Sequence, residues 1–120
     1  MIDVINRPKK DISIEELKKL FSTIDYLDIV LLFGSRALGK SNSFSDYDFA
    51  VAGEFENSWE FAKSWIDIAS LLDLSDEDID VIDLKNASEL LKDSIKDGYV
   101  VLKGEKSEVL RLLGSDRKKS

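Results

Sequence analysis

The stretch Ile29-Val-Leu-Leu-Phe-Gly-Ser-Arg-Ala-Leu-Gly-Lys-Ser-Asn-Ser-Phe-Ser-Asp-Tyr-Asp-Phe-Ala-Val-Ala52 decides how this chain folds. It opens on an apolar run closed by Gly34 and Ser35, the pattern of a strand buried on both faces. A turn with a short helix is expected over residues 34–39 and a polar loop over residues 40–45, before a second strand over residues 46–52. Residues two apart on a strand project to one face, so Asp46, Asp48 and Ala50 share a side while Tyr47, Phe49 and Val51 share the other. The aromatic side is expected in the core, which leaves two carboxylates facing the turn side of the sheet. Gly34, Ser35, Asp46 and Asp48 are therefore expected to form one nucleotide and metal site.

Elements on either side fit an α/β fold, a small mixed β-sheet flanked by helices. Before the first strand, Ile14, Leu17, Leu20, Phe21 and Ile24 recur at helical spacing, and Ser13 with Glu16 makes a capping box. After the second strand, Asn57 and Glu60 mark a helix running to about Leu72, with Phe61, Trp65, Ile68, Ala69 and Leu72 inward and Trp59 and Ile66 on its margins. Residues 79–84 make a third strand. Residues 86–97 make a helix with Leu90, Leu91 and Ile95 inward, Gly98 stands where a C-terminal cap belongs, and residues 99–103 close the sheet. The segment 1–11, holding Pro8, reads as loose or edge chain. A single domain is expected over residues 1–104, with 105–120 a C-terminal tail that carries Val109, Leu110, Leu112 and Leu113 on a short helix before the basic Arg117, Lys118 and Lys119.

Composition narrows the chemistry. At 120 residues and 43% hydrophobic, the chain has material for one core. The balance of 17 basic against 24 acidic residues, net charge -7, disfavours direct binding of free nucleic acid. Without cysteine or histidine there is no disulfide, thiolate or zinc site, and an all-oxygen Mg2+ or Mn2+ site remains. No apolar run approaches membrane length, so no membrane partner is expected and the cytoplasm is the default location.

A third carboxylate, Asp80, lies on the face of its strand opposite Val81 and Asp83, and it converges with Asp46 and Asp48 if that strand pairs beside the second, about 4.8 Å away. Carboxylates this close stay ionised only with a cation among them, and two magnesium ions about 3.5–4 Å apart satisfy them. Gly34 admits a phosphate to the backbone, and Ser35 adds free N-H groups and a hydroxyl. Arg36 either reaches that phosphate or pairs with a nearby carboxylate.

Gly34-Ser35, ten intervening residues and Asp46-Tyr47-Asp48 resemble the signature of the nucleotidyltransferase fold of the DNA polymerase beta superfamily. Phe33-Gly-Ser-Arg-Ala-Leu-Gly, Ser45-Asp-Tyr-Asp-Phe-Ala-Val and Ile79-Asp-Val-Ile-Asp-Leu resemble its compact prokaryotic branch, the minimal nucleotidyltransferases, over about residues 25–104. The resemblance implies that Asp46 and Asp48 ligate two Mg2+ ions, that Asp80 completes the cluster and helps deprotonate an acceptor hydroxyl, and that Gly34 and Ser35 hold the triphosphate of ATP. It implies transfer of AMP to a hydroxyl, a tyrosine, of a partner HEPN-type ribonuclease toxin, with this chain as the antitoxin. Larger members add a domain for the acceptor, so here the partner is expected to present it. The chain departs from the pattern at Leu38, where many relatives carry a second basic residue.

Two other readings compete. Residues 34–41 match a P-loop literally, Gly-Ser-Arg-Ala-Leu-Gly-Lys-Ser, but that motif needs a helix starting at its lysine, and residues 40–46 are loop-like. The other reading keeps the fold without the chemistry: a binding module that neutralises its partner by docking alone.

Overall fold

The apolar run beginning the decisive stretch becomes β1 (Leu27–Phe33), a central strand of a four-stranded sheet. The computed structural model describes residues 10–41 and 45–114. Around β1 lie α1 (Ile14–Phe21), β2 (Tyr47–Gly53), α2 (Ser58–Leu72), β3 (Ile79–Asp83), α3 (Glu89–Lys96), β4 (Tyr99–Lys103) and α4 (Lys106–Leu113), with single 3-10 turns at Asp76–Asp78 and Leu84–Asn86. The sheet order is β3-β2-β1-β4. β1 pairs antiparallel with both β2 and β4, and β2 pairs parallel with β3, so the sheet is mixed.

Both faces of β1 are covered. Leu27, Val30 and Leu32 join Tyr47, Phe49 and Val51 under α1 and α2, which contribute Leu17, Phe21, Ile68, Ala69 and Leu72. Ile29 and Leu31 join Ala50 and Ala52 on the opposite face under Ile95 of α3 and Val109 and Leu113 of α4. Each fully buried Leu, Ile or Phe contributes roughly 1.5–3 kcal/mol, which makes this double covering the main source of stability. The helices start where their side chains cap them: Ser13 accepts from the Glu16 amide at 3.1 Å, Asn57 from the Glu60 amide at 2.9 Å and Ser88 from the Leu91 amide at 3.1 Å.

Several local expectations change. Residues 34–39 form one hydrogen-bonded turn and no helix: the amides of Ala37 and Leu38 both donate to the Gly34 carbonyl, and Gly39 closes the turn at φ +73. α3 starts at Glu89, after a 3-10 turn that Asp83 caps. Leu90 is not inward but 81% exposed, because Leu91 and Ile95 take the buried stripe and Leu90 falls about 100° away from Leu91 on the helix. Gly98 is absent from the left-handed residues, so its glycine serves no left-handed cap. Instead, a Cβ there would overlap the Leu38 side chain. The segment 1–9, the loop residues 42–44 and the basic end 115–120 lie outside the described residues.

Candidate active site

A single row of paired residues crosses the sheet. Tyr99 of β4 pairs with Phe33 of β1, Phe33 with Asp48 of β2, and Asp48 with Asp80 of β3. This row stands on the face that α3 and α4 cover only in part. Between the row and α3 opens a cleft of about 520 Å³, lined by Phe33, Gly34, Leu38, Asp48, Asp80, Ile82, Leu91, Ser94, Asp97 and Gly98. The parallel pairing of β2 with β3 is what brings Asp80 beside Asp48, since residues facing each other across a ladder project to the same side.

Asp48 is half-buried, and its carboxyl is pushed up from 3.8 to about 6, first by burial and then by the charges of Asp80 and Asp46. Gly34, at φ +77, leaves the space into which this carboxylate projects. Asp46 is exposed and lies one residue before β2, so the pleat that fixes Asp48 does not fix it. The expected strand began at Asp46; the observed one begins at Tyr47. Among the described residues, no three His, Cys, Asp or Glu side chains converge tightly enough to hold a metal ion. The donors nonetheless suit a hard cation: carboxylate oxygens only, two on adjacent strands, and a third close enough to raise the pKa of Asp48.

The turn after β1 sets out the remaining expected residues. Its hydrogen bonds use the amides of Ala37, Leu38 and Lys40, with Lys40 donating to the Ser35 carbonyl at 3.0 Å. The Ser35 and Arg36 amides come earlier in the turn, directly after Gly34, whose missing side chain leaves room for Asp48, and successive N-H groups of this kind suit an anion. The Arg36 side chain goes to the other face of the sheet. Its guanidinium lies 4.0 Å over the Tyr47 ring, and it donates from Nε to the Ser45 carbonyl at 3.1 Å and from Nη1 to Asp11 at 3.3 Å. Of the two roles open to Arg36, the structure thus displays pairing with a carboxylate. Tyr47, read from the sequence only as core, proves to organise this corner: its hydroxyl accepts from the Ile12 amide at 2.9 Å and donates to the Lys10 carbonyl at 2.6 Å. The alternation that sends Tyr47 and Asp48 to opposite faces was the available signal.

The P-loop reading fails on topology. Lys40 and Ser41 carry no helix, and the next strand returns antiparallel to β1, whereas that motif leads into a helix.

The mixed four-stranded sheet that carries this glycine turn and the in-register carboxylates has the nucleotidyltransferase fold. The family described as polymerase beta nucleotidyltransferase matches residues 15–108, and the chain belongs to it. Among relatives, it is 32% identical over 93 residues to the protein adenylyltransferase MntA of Aphanizomenon flos-aquae, and 38% identical over 79 residues to that of Shewanella oneidensis. These alignments cover 69% and 62% of this chain and 61% and 52% of the relatives, so the chain spans little more than half the length of the curated relatives it matches. Its fold is similar to that in a crystal structure of a toxin-antitoxin with AMP-PNP, at TM-score 0.67 and 25% identity, covering 87% of this chain and 83% of that one. Among the described residues, no helix is long and apolar enough to cross a membrane.

Proposed function

We propose that this chain is a protein adenylyltransferase that transfers AMP from ATP to a hydroxyl, a tyrosine, of a partner HEPN-type ribonuclease toxin, and thereby acts as its antitoxin in the cytoplasm. The observation that carries this reading is the in-register pair Asp48 and Asp80 beside the Gly34 turn. The adenylyltransferase names of the relatives and the AMP-PNP in the similar toxin-antitoxin support the nucleotide and the partner.

Each residue has a role in this proposal. The turn amides after Gly34 and the Ser35 hydroxyl hold the triphosphate, and Arg36 fixes the turn through Tyr47 and Asp11. Asp46, Asp48 and Asp80 would hold Mg2+, two ions with Mn2+ able to substitute, which neutralise the phosphates and lower the barrier at the alpha phosphorus. Asp80 accepts the proton of the acceptor hydroxyl. The acceptor oxygen bonds to the alpha phosphorus, the bond to the bridging oxygen breaks, and pyrophosphate leaves with its electron pair. Burial and the charges of Asp80 and Asp46 make the ionised form of Asp48 costly, and a divalent cation held there would relieve that cost.

Two observations favour the docking reading: Asp46 stands outside the strand, and among the described residues the three carboxylates do not converge tightly enough to hold a metal ion. Incorporation of label from alpha-labelled ATP with Mg2+ into the co-expressed toxin separates the two. Label with the wild type and none with Asp46→Ala plus Asp48→Ala is the expected outcome. An unlabelled toxin that is still silenced overturns the catalytic reading.

A further inference from the structure

One exposed leucine, Leu38, lines the cleft of the carboxylates, and a second, Leu90, stands outside that lining on α3. Leu38 is 45% exposed on the turn, and Leu90 is 81% exposed on α3. Leu38 is seated against Gly98, where a side chain would exclude it, so the turn and the C-terminal end of α3 form one continuous wall. Along α3 and its C-cap Asp97, Leu90, Ser94 and Asp97 are spaced i, i+4 and i+7 and therefore share a stripe. Ser94 and Asp97 line the cleft, so Leu90 continues that stripe to its rim. Among the described residues, the cleft lining contains Asp48, Asp80 and Asp97 and neither lysine nor arginine.

We infer that the α3 stripe Leu90-Ser94-Asp97, with Leu38, is the acceptor-docking wall, and that it takes a protein segment carrying its hydroxyl beside an apolar side chain and a basic one. The apolar neighbour covers Leu90, and the basic one meets Asp97 at the other end of the stripe, where Leu38 packs against Gly98. Solvent-exposed leucines beside reacting groups gain by desolvation only when a partner covers them. Asp97 stands apart from the carboxylates assigned to the cation, and its charge favours a basic protein segment over the 3' end of a nucleic acid as acceptor. The occupant is the acceptor and not the nucleotide base, because the face has one apolar rim and one acidic end, a match for a polypeptide stretch with two side chains. The exposed Trp59 and Ile66 of α2 lie on a helix that packs against the other face of the sheet, away from the reacting groups.

This inference rests on the adenylyl-transfer reading, and the test distinguishes the two. Purified toxin serves as acceptor, and label from alpha-labelled ATP gives KM and kcat for wild type, Leu90→Glu, Leu90→Met and Trp59→Glu. A fluorescent ATP analogue with Mg2+ gives nucleotide affinity for each. Leu90→Glu is expected to raise KM for the toxin at least about tenfold with kcat within about threefold and nucleotide affinity within about twofold. Leu90→Met restores KM, Trp59→Glu leaves it unchanged, and oligoadenylate is not extended. Label with the wild type but an unchanged KM in Leu90→Glu overturns this inference alone, as does a loss confined to nucleotide affinity, a KM rise in Trp59→Glu, or extension of oligoadenylate. No label with the wild type overturns the transfer reading and this one with it.

Discussion

The Asp48 carboxylate fills the space that a side chain at position 34 would need: a Cβ on Gly34 would overlap Oδ2 and lie 3.2 Å from Cγ. Gly34 is thus required twice, by its φ of +77 and by this neighbour. Gly39 separates the two demands, because it has φ +73 with nothing within 4 Å of its would-be Cβ. Gly39→Ala is expected to cost about 1 kcal/mol, the backbone strain alone, and Gly34→Ala about 2–3 kcal/mol. Urea unfolding of both variants checks this, and Asp48→Ala in the Gly34→Ala background should recover the difference. Equal losses for the two glycine variants would show that the carboxylate is not confined.

The same confinement makes stability depend on pH. The folded Asp48 carboxyl titrates near 6 and the unfolded one near 3.8, raised by burial and then by Asp80 and Asp46. Between those values the folded chain keeps a proton that the unfolded chain has lost, so stability falls as pH rises from about 4 to about 6. Solvent screening at a half-exposed group reduces the effect to on the order of 1–2 kcal/mol. Asp48→Asn is expected to remove this component and to be more stable than the wild type at pH 7 by about 1 kcal/mol. Chemical denaturation at pH 4 and pH 7, without divalent cations, measures both, and a parallel pH profile for the two proteins would count against the assignment.

How far the sequence could be read depends on what each signal encodes. Periodicity encodes burial, and it placed the helices, the four strands and the split of Tyr47, Phe49 and Val51 from Asp48 and Ala50. Pairing of β2 with β3 was legible as a condition on Asp80, and its register, Asp48 opposite Asp80, needed the structure. Leu90 was misplaced because leucine is apolar wherever it sits, and only the rotation of α3 shows which of two adjacent leucines faces out. Arg36 was ambiguous because its partners, Asp11 and Tyr47, are remote from it in sequence and adjacent to each other only after folding. Gly34 and Gly98 carry no sign of the side chains that fill their space.

Arg36 and Tyr47 together lock the turn to the chain before α1. The Arg36 side chain is 6% exposed, stacked on the Tyr47 ring, while the Tyr47 hydroxyl bridges Lys10 and Ile12. Lysine lacks both the planar stack and the fork, so Arg36→Lys is expected to cost about 1–2 kcal/mol despite keeping the charge. Tyr47→Phe keeps the ring and strands a buried amide, at about 1–3 kcal/mol. Thermal unfolding of the single and double variants gives the coupling: losses that add independently would mean the stack and the hydroxyl bridge are separate features.

The helix after β4 is integral to the core on the cleft side of the sheet. Val109 and Leu113 are fully buried against Ile29, Leu31, Ala52 and Ile95, and Gly114 caps α4 in the left-handed region at φ 79. A tail held only by a partner would tolerate truncation of such side chains, whereas a core helix would not. Leu113→Ala is therefore expected to lower stability by about 3 kcal/mol in the isolated chain, from lost burial and the cavity left behind. Leu110 is only partly buried on the same helix, and Leu110→Ala should lose less than half as much. Because α4 and α3 pack on the same cluster, the damage should reach the cleft as well. Hydrogen exchange is expected to show faster exchange in α3 of Leu113→Ala, while α1, on the opposite face of the sheet, keeps its protection. Equal acceleration in both helices would mean that the two faces unfold as one unit and that α4 has no particular hold on the cleft.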